Sequence, residues 1–251
     1  MTRVGGSHVE VEALVGPGRS HHTYDPTPKQ MARLAVADLY FRIGVPFEEA
    51  LSTRLAFTIE GLDVVNTQEG IPVLWTGGEP GKGKPDPHLW LDPRRVSRML
   101  ESIVRTLCLK DPAHAEEFKR NGADYQAELE EVGRQLDELL APFRGQKVYV
   151  FHPAFGYLLE ERGIRQVAIE VEGKEPGPRQ LAATLTAMRR EQARALFIQP
   201  QFSSRTAGKI AEEVGLSVVT LDPLAEGYLE NMKAMGERIC ESLRKGSSQK
   251  K

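Results

Sequence analysis

The sequence predicts an α/β protein of two lobes, each a parallel sheet flanked by helices, joined by one long α-helix. Three observations carry that prediction. Strand-like and helix-like runs alternate along the chain, the pattern that parallel sheets with crossover helices produce. One apolar stripe, Phe118, Tyr125, Leu129, Val132, Leu136 and Leu139, recurs at spacings of three, four or seven and so lies along one face of a single helix. The length of 251 residues suits one large domain or two of ordinary size. The expected division is a first lobe over residues 1–110, a linking helix over 111–142 and a second lobe over 143–251.

Taken in order, HVEVEALV (His8 to Val15) alternates apolar and polar residues and is expected to be a strand. PTPKQMARLAVA starts a helix with Pro28 near its first turn, where a missing N–H costs little. DLYFRIG reads as a strand, and DVVNT and IPVLW as short β-like runs, followed by a Gly/Lys/Pro loop from Gly77 to Pro85. Asp92-Pro93 opens the next helix, with Asp as cap and Pro at the first helical position. Asp111-Pro112 then opens the striped helix, which the breaker Pro142 ends. At 1.5 Å per residue it is roughly 40 Å long, a strut rather than a part of either lobe. Beyond it KVYVFH, QVAIEV, ALFIQPQ and SVVTLD are strand-like, and helical stretches follow from Ala154, Pro176, Ser203 and Ala225.

Charge and composition remove several classes of function. Thirty-three Lys and Arg stand against 35 Asp and Glu, a net charge of -2, which leaves no electrostatic footprint for nucleic acid. The basic KGSSQKK tail is expected to be a frayed end. No apolar run approaches the roughly 20 residues of a membrane span, so a soluble chain is expected. Cys108 and Cys240 are too few for a thiolate knuckle or a disulfide framework. They are expected to be small core residues, with a single disulfide as the alternative, which would fit an oxidising compartment. Met1 leads directly into TRVGGSHVEVEALV, with neither the charged nor the apolar region of an export signal.

The chemistry concentrates at element boundaries. His22 in HHTYDPTP, His88 in PDPHLWLDP and His152 in VYVFHPAFGY each close a strand-like run or precede a Pro-marked helix start, where open α/β sheets place their ligands. Asp222 in SVVTLDPL follows an apolar run in the same way. Three imidazoles and a carboxylate can close a four-coordinate shell around a borderline-soft divalent ion. The competing reading of each is a turn residue, and His21 could replace His22. His8 and His114 are expected at the surface. Glu170, Glu172 and Glu175 form an acidic loop, read as solvated, from which a carboxylate could reach the site as an alternate ligand. Gly78 to Lys84 copies the glycine and lysine spacing of a phosphate-binding loop, but Pro85 stands where a Ser or Thr is required and bars the helix that would bind phosphate. A flexible surface loop is expected there. No H-E-x-x-H pair or G-x-S-x-G elbow occurs, so the common hydrolytic signatures are missing.

VGG-x-HVEVEALVGPG, HTYDPTP, DPHLWLDP, FHPAFGYL, EPGPRQL, SSRTAGKIAEEVG and LDPL together resemble the zinc/manganese-type metal solute-binding proteins of bacterial ABC importers, over nearly the whole chain and in the family's order. The resemblance implies two α/β lobes joined by a rigid helix, with a ligand cleft between the lobes. It implies His22, before Thr-Tyr, as first ligand, then His88, His152 and Asp222. It also implies a partner, a membrane ABC permease, and a periplasmic or cell-surface location. Family members normally begin with an export signal, then a strand and a helix before VGG, and a start placed too late or a trimmed chain is expected to explain the difference. The loop from Gly77 to Pro85 carries lysines where many zinc members carry His and acidic residues, so it is not expected to collect zinc.

Three imidazoles with one carboxylate favour Zn2+, with Mn2+ or Fe2+ as alternatives, because manganese-leaning members tend to replace a His by a carboxylate. A monomeric, non-enzymatic binding protein is expected. The alternative from another class is a zinc-dependent hydrolase that keeps an open coordination position for water, and Asp222 discriminates the two by closing the shell or leaving it open. A metal-free adhesin of similar architecture is a third reading, separable by metal content.

Overall fold

The computed structural model describes residues 1–16, 18–75, 83–170, 176–202 and 204–245. The chain divides into two compact units, Met1–Glu131 and Val132–Lys251, and the division falls inside the long helix.

The first unit opens with a single turn, α1 (Thr2–Gly5), and a 3-10 turn (Gly6–His8). Helix α2 (Pro28–Leu34) begins where the sequence places it. The Thr27 hydroxyl accepts from the Gln30 N–H, and the Gln30 side chain accepts from the Thr27 N–H, a reciprocal cap with Pro at the first turn. Strand β1 (Leu39–Arg42), helix α3 (Pro46–Thr58) and strand β2 (Asp63–Asn66) form one crossover, with β1 and β2 parallel and in register from Leu39↔Asp63 to Arg42↔Asn66. Leu34, Tyr40, Leu51 and Leu55 are the buried centre of this crossover, packed by Leu14, Met31, Phe47 and Val64. Glu48, in the first turn of α3, is 3% exposed and accepts from the Tyr40 hydroxyl (2.8 Å), the Ile43 N–H (3.0 Å) and the Val45 N–H (2.9 Å). A buried carboxylate persists only when so satisfied. Burial and the Glu48 carboxylate together push the Tyr40 hydroxyl pKa far up.

Helix α4 (Pro93–Lys110) is capped by Asp92, whose carboxylate accepts from the Arg94 N–H and pairs with Arg95 at 2.8 Å. The striped helix is α5 (Ala115–Leu140), extended by 3-10 turns Pro112–His114 and Ala141–Phe143 at its ends. Phe118, Leu129, Val132 and Leu136 of the stripe are buried. Its 26 residues correspond to roughly 39 Å at 1.5 Å per residue.

In the second unit four strands lie in the order β4-β3-β5-β6, all parallel. They are β3 (Lys147–Val150), β4 (Arg165–Ala168), β5 (Ala195–Ile198) and β6 (Ser217–Thr220). The crossovers are α6 (Gly156–Leu159), α7 (Pro178–Arg190) and α8 (Ser204–Glu213), and α9 (Tyr228–Lys245) ends the fold. All four residues of β5 are buried, as the uninterrupted apolar run of a central parallel strand requires. One face of the sheet packs Tyr149, Phe151, Leu196 and Ile198 on Met188, Ala207 and Ile210 of α7 and α8. Gly236 of α9 lies so close to α5 that a Cβ there would stand 2.5 Å from Leu136 Cδ2, so only glycine fits without movement.

Three expectations need correction. His8 ends the 3-10 turn, and the run after it is extended at Val9 but pairs with no strand among the described residues. Alternation marks a face, but a strand also needs a neighbour to take its hydrogen bonds. IPVLW makes, among the described residues, one isolated bridge, Trp75 to Pro85, and no strand. Helix α3 was not expected, although Pro46 followed by Glu48 and Glu49 is a helix-start pattern. The expected surface loop from Gly77 lies largely outside the described residues.

Candidate metal site

In the first unit, His21 and His22 sit on a turn in which the His22 N–H donates to the Ser20 hydroxyl at 3.3 Å. His88 begins a 3-10 turn, Leu89–Leu91, whose Leu89 and Leu91 are buried and anchor it. Asp86 ties this segment down by its N–H, which donates to the Leu74 carbonyl at 2.8 Å. Its Oδ1 accepts from the His88 N–H (2.9 Å) and lies 2.6 Å from His88 Nδ1. A carboxylate on Nδ1 fixes the ring and directs the Nε2 lone pair outward, the usual support of a metal-ligating histidine.

His88 Nε2 lies 3.1 Å from His21 Nε2. One ligand nitrogen from each of His21, His22 and His88 falls within 4.8 Å of the other two. The His21–His88 separation is an ordinary hydrogen-bond distance, and it is also close to the roughly 3.3 Å between two nitrogens held at roughly 2.0–2.1 Å on one tetrahedral zinc. His21 and His88 are buried and His22 is half-buried, with the Trp90 ring 5.3 Å from both buried imidazoles.

In the second unit the candidates stand just past the carboxyl ends of the strands. The register Val150↔Ala168 sets His152 beside Glu170 two residues on, and His152 Nδ1 lies 2.9 Å from Glu170 Oε2. Both side chains are buried. Phe202 stacks on the His152 ring at 4.7 Å, and Gln199 at the end of β5 donates to the His152 carbonyl at 3.0 Å. Asp222, just past β6, is half-buried and accepts on Oδ1 from Gln201 Nε2 and the Leu224 N–H, each at 3.0 Å. Asn231 of α9 donates to the Asp222 carbonyl at 2.8 Å. Among the described residues these bonds engage one carboxylate oxygen, Oδ1.

The structure therefore brings His22 and His88 together, adds His21 to them, and sets His152 and Asp222 at the carboxyl edge of the second sheet. Glu170 corrects an expectation, for it is no solvated loop carboxylate but the buried partner of His152. Glu172 and Glu175 lie outside the described residues. Sequence reasoning missed Asp86 as well, though an Asp two residues before His88 is the pattern of an Asx turn. His8 is exposed and His114 half-buried, their rings stacked at 3.7 Å. Cys108 and Cys240 are free thiols, and burial pushes the Cys240 pKa up.

Among the described residues no helix is long and apolar enough to cross a membrane. Residues 1–242 match the family model described as "Zinc-uptake complex component A periplasmic". The chain is 25% identical to the manganese ABC transporter substrate-binding lipoprotein PsaA of Streptococcus anginosus, over 96% of this chain and 84% of that protein. It is 27% identical to the zinc-binding lipoprotein AdcA of Streptococcus pneumoniae (strain ATCC BAA-255 / R6), over 97% of this chain, which spans 51% of AdcA. Among solved structures, one described as "Crystal structure of ZnuA" superposes with a TM-score of 0.90 at 33% identity, covering 96% of this chain and 92% of that one. With the fold, the family model and these relatives in agreement, the chain belongs to the zinc-uptake complex component A family, the metal-binding, substrate-binding components of ABC transporters.

Proposed function

We propose that this protein captures one Zn2+ ion on His22, His88, His152 and Asp222 and delivers it to the membrane permease of an ABC importer. The observation that carries the reading is the convergence of imidazole nitrogens around His88, backed by Asp86 on the far side of its ring. The names of relatives point to both zinc and manganese. The donor chemistry favours zinc, because imidazole suits it and manganese prefers oxygen-rich shells. Asp222 supports a carrier rather than a zinc hydrolase: its Oδ1 is engaged by neighbours and its other carboxylate oxygen would close the shell that a catalytic site keeps open for water. A monomer working at the periplasmic face or cell surface, with no nucleic-acid partner, completes the reading.

The test is metal content and stability together. Elemental analysis of purified protein is expected to give one zinc per chain, and zinc added to stripped protein raises the melting temperature. At free zinc about 1,000 times the dissociation constant the stabilisation is about 4 kcal/mol. Protein that holds no metal and shows no thermal shift with micromolar zinc overturns the reading.

A further inference from the structure

We infer that His21 is itself a metal ligand, so that the first unit alone holds a divalent ion on three imidazoles, His21, His22 and His88. The inference rests on the zinc-carrier reading and adds a donor to it. Neighbouring residues of an extended chain point to opposite sides, yet the turn at His21 and His22 brings their ring centroids to 4.1 Å and sets both rings beside His88, at 5.1 and 5.4 Å. With His88 Nδ1 committed to Asp86 at 2.6 Å, its Nε2 presents a lone pair. His21 Nε2 faces that lone pair at 3.1 Å inside a buried site. Two nitrogens meeting in this way either share a proton or share a cation. The His22 ring joins them: one nitrogen from each of the three rings lies within 4.8 Å of the other two, which offers a three-nitrogen face for a metal, with Asp86 as the charge behind it.

Three nitrogen donors also set a preference. Imidazole raises affinity for zinc, nickel and copper far more than for manganese. His21 therefore acts as a specificity-determining ligand, biasing the site against manganese.

The experiment uses the full chain and two probe ions, Zn2+ and Mn2+, titrated against a chelator of known affinity. His21→Gln keeps a polar side chain in the buried position but removes the imidazole nitrogen. It is expected to lower zinc affinity at least about tenfold while manganese affinity moves much less, so the zinc-to-manganese ratio falls. A second protein, His152→Ala with Asp222→Ala, is expected to retain one weaker zinc site, and adding His21→Gln to it removes that site. Melting temperatures of the metal-free proteins separate ligand loss from unfolding. If His21→Gln binds both ions as the parent does, or if the double variant takes up no zinc while the parent does, the inference falls and the carrier reading stands. A parent that binds no zinc brings down the carrier reading instead.

Discussion

The two units hold their candidate donors by different means. In the first, His88 and its supporting carboxylate are two residues apart, and a single side chain, Asp86, fixes both the backbone and the ring of His88. In the second, His152 and Glu170 are eighteen residues apart and meet only because β3 and β4 pair in one register. The first arrangement is built locally from turns, the second from the pairing of two strands in a packed sheet.

Truncating the donors gives the largest effect and can break the comparison. On the proposed ligand set, His88→Ala is expected to weaken zinc binding well over tenfold and His152→Ala about tenfold, because a nitrogen of His88 clusters with one each of His21 and His22. His114→Ala and Lys84→Ala serve as controls that change little. A chelator-competition titration in which His152→Ala matches the parent would mean that the strand-end histidine is not a ligand.

The supporting carboxylates sharpen it. Their removal typically costs ten- to a hundredfold in metal affinity, and Asp86→Ala is expected to cost more than Glu170→Ala, since it frees a backbone segment as well as a ring. Calorimetric zinc titrations that reverse this order would show that the segment around His88 is held by something other than Asp86.

The smallest effect isolates the stability of the second sheet from its edge. Glu191 accepts from Lys147 and Tyr149 at 2.7 Å each. The Lys147 hydrogen bond first, and the Tyr149 one after it, depress its pKa from 4.5 to about 2. A depressed carboxylate stabilises the fold fully above its unfolded value and loses that contribution as the pH falls through its folded value. Glu191→Gln is therefore expected to lower the melting temperature modestly at pH 7, with the gap to the parent closing between about pH 4.5 and 2, and to leave zinc affinity unchanged. A gap that persists at pH 2 would trace the effect to packing instead of charge.

Local signals were legible in the sequence, and pairings were not. The Asp92-Pro93 cap, the Pro28 start and the Phe118 to Leu136 stripe each announce a helix through interactions within one or two turns. The strand ends bearing His152 and Asp222 were visible as apolar runs stopping at a Pro-marked turn. Glu170 was misread because its partner is chosen by strand register, which no stretch of sequence states. HVEVEALV failed for the same reason, since its alternation says nothing of which strand, if any, lies beside it. Asp86 is the exception, a local device that was present in the sequence and overlooked, as was the helix start at Pro46.

The register of β3 and β4 has a consequence for how this protein tolerates change. Along a strand successive side chains point to opposite faces, so gaining or losing one residue between Arg165 and Glu170 would turn the Glu170 carboxylate away from His152 while leaving the apolar character of the segment intact. Replacing one aliphatic residue by another there is a small disturbance. An insertion or deletion of a single codon is a large one, because ahead of Ile169 it would also turn that buried side chain out of the core.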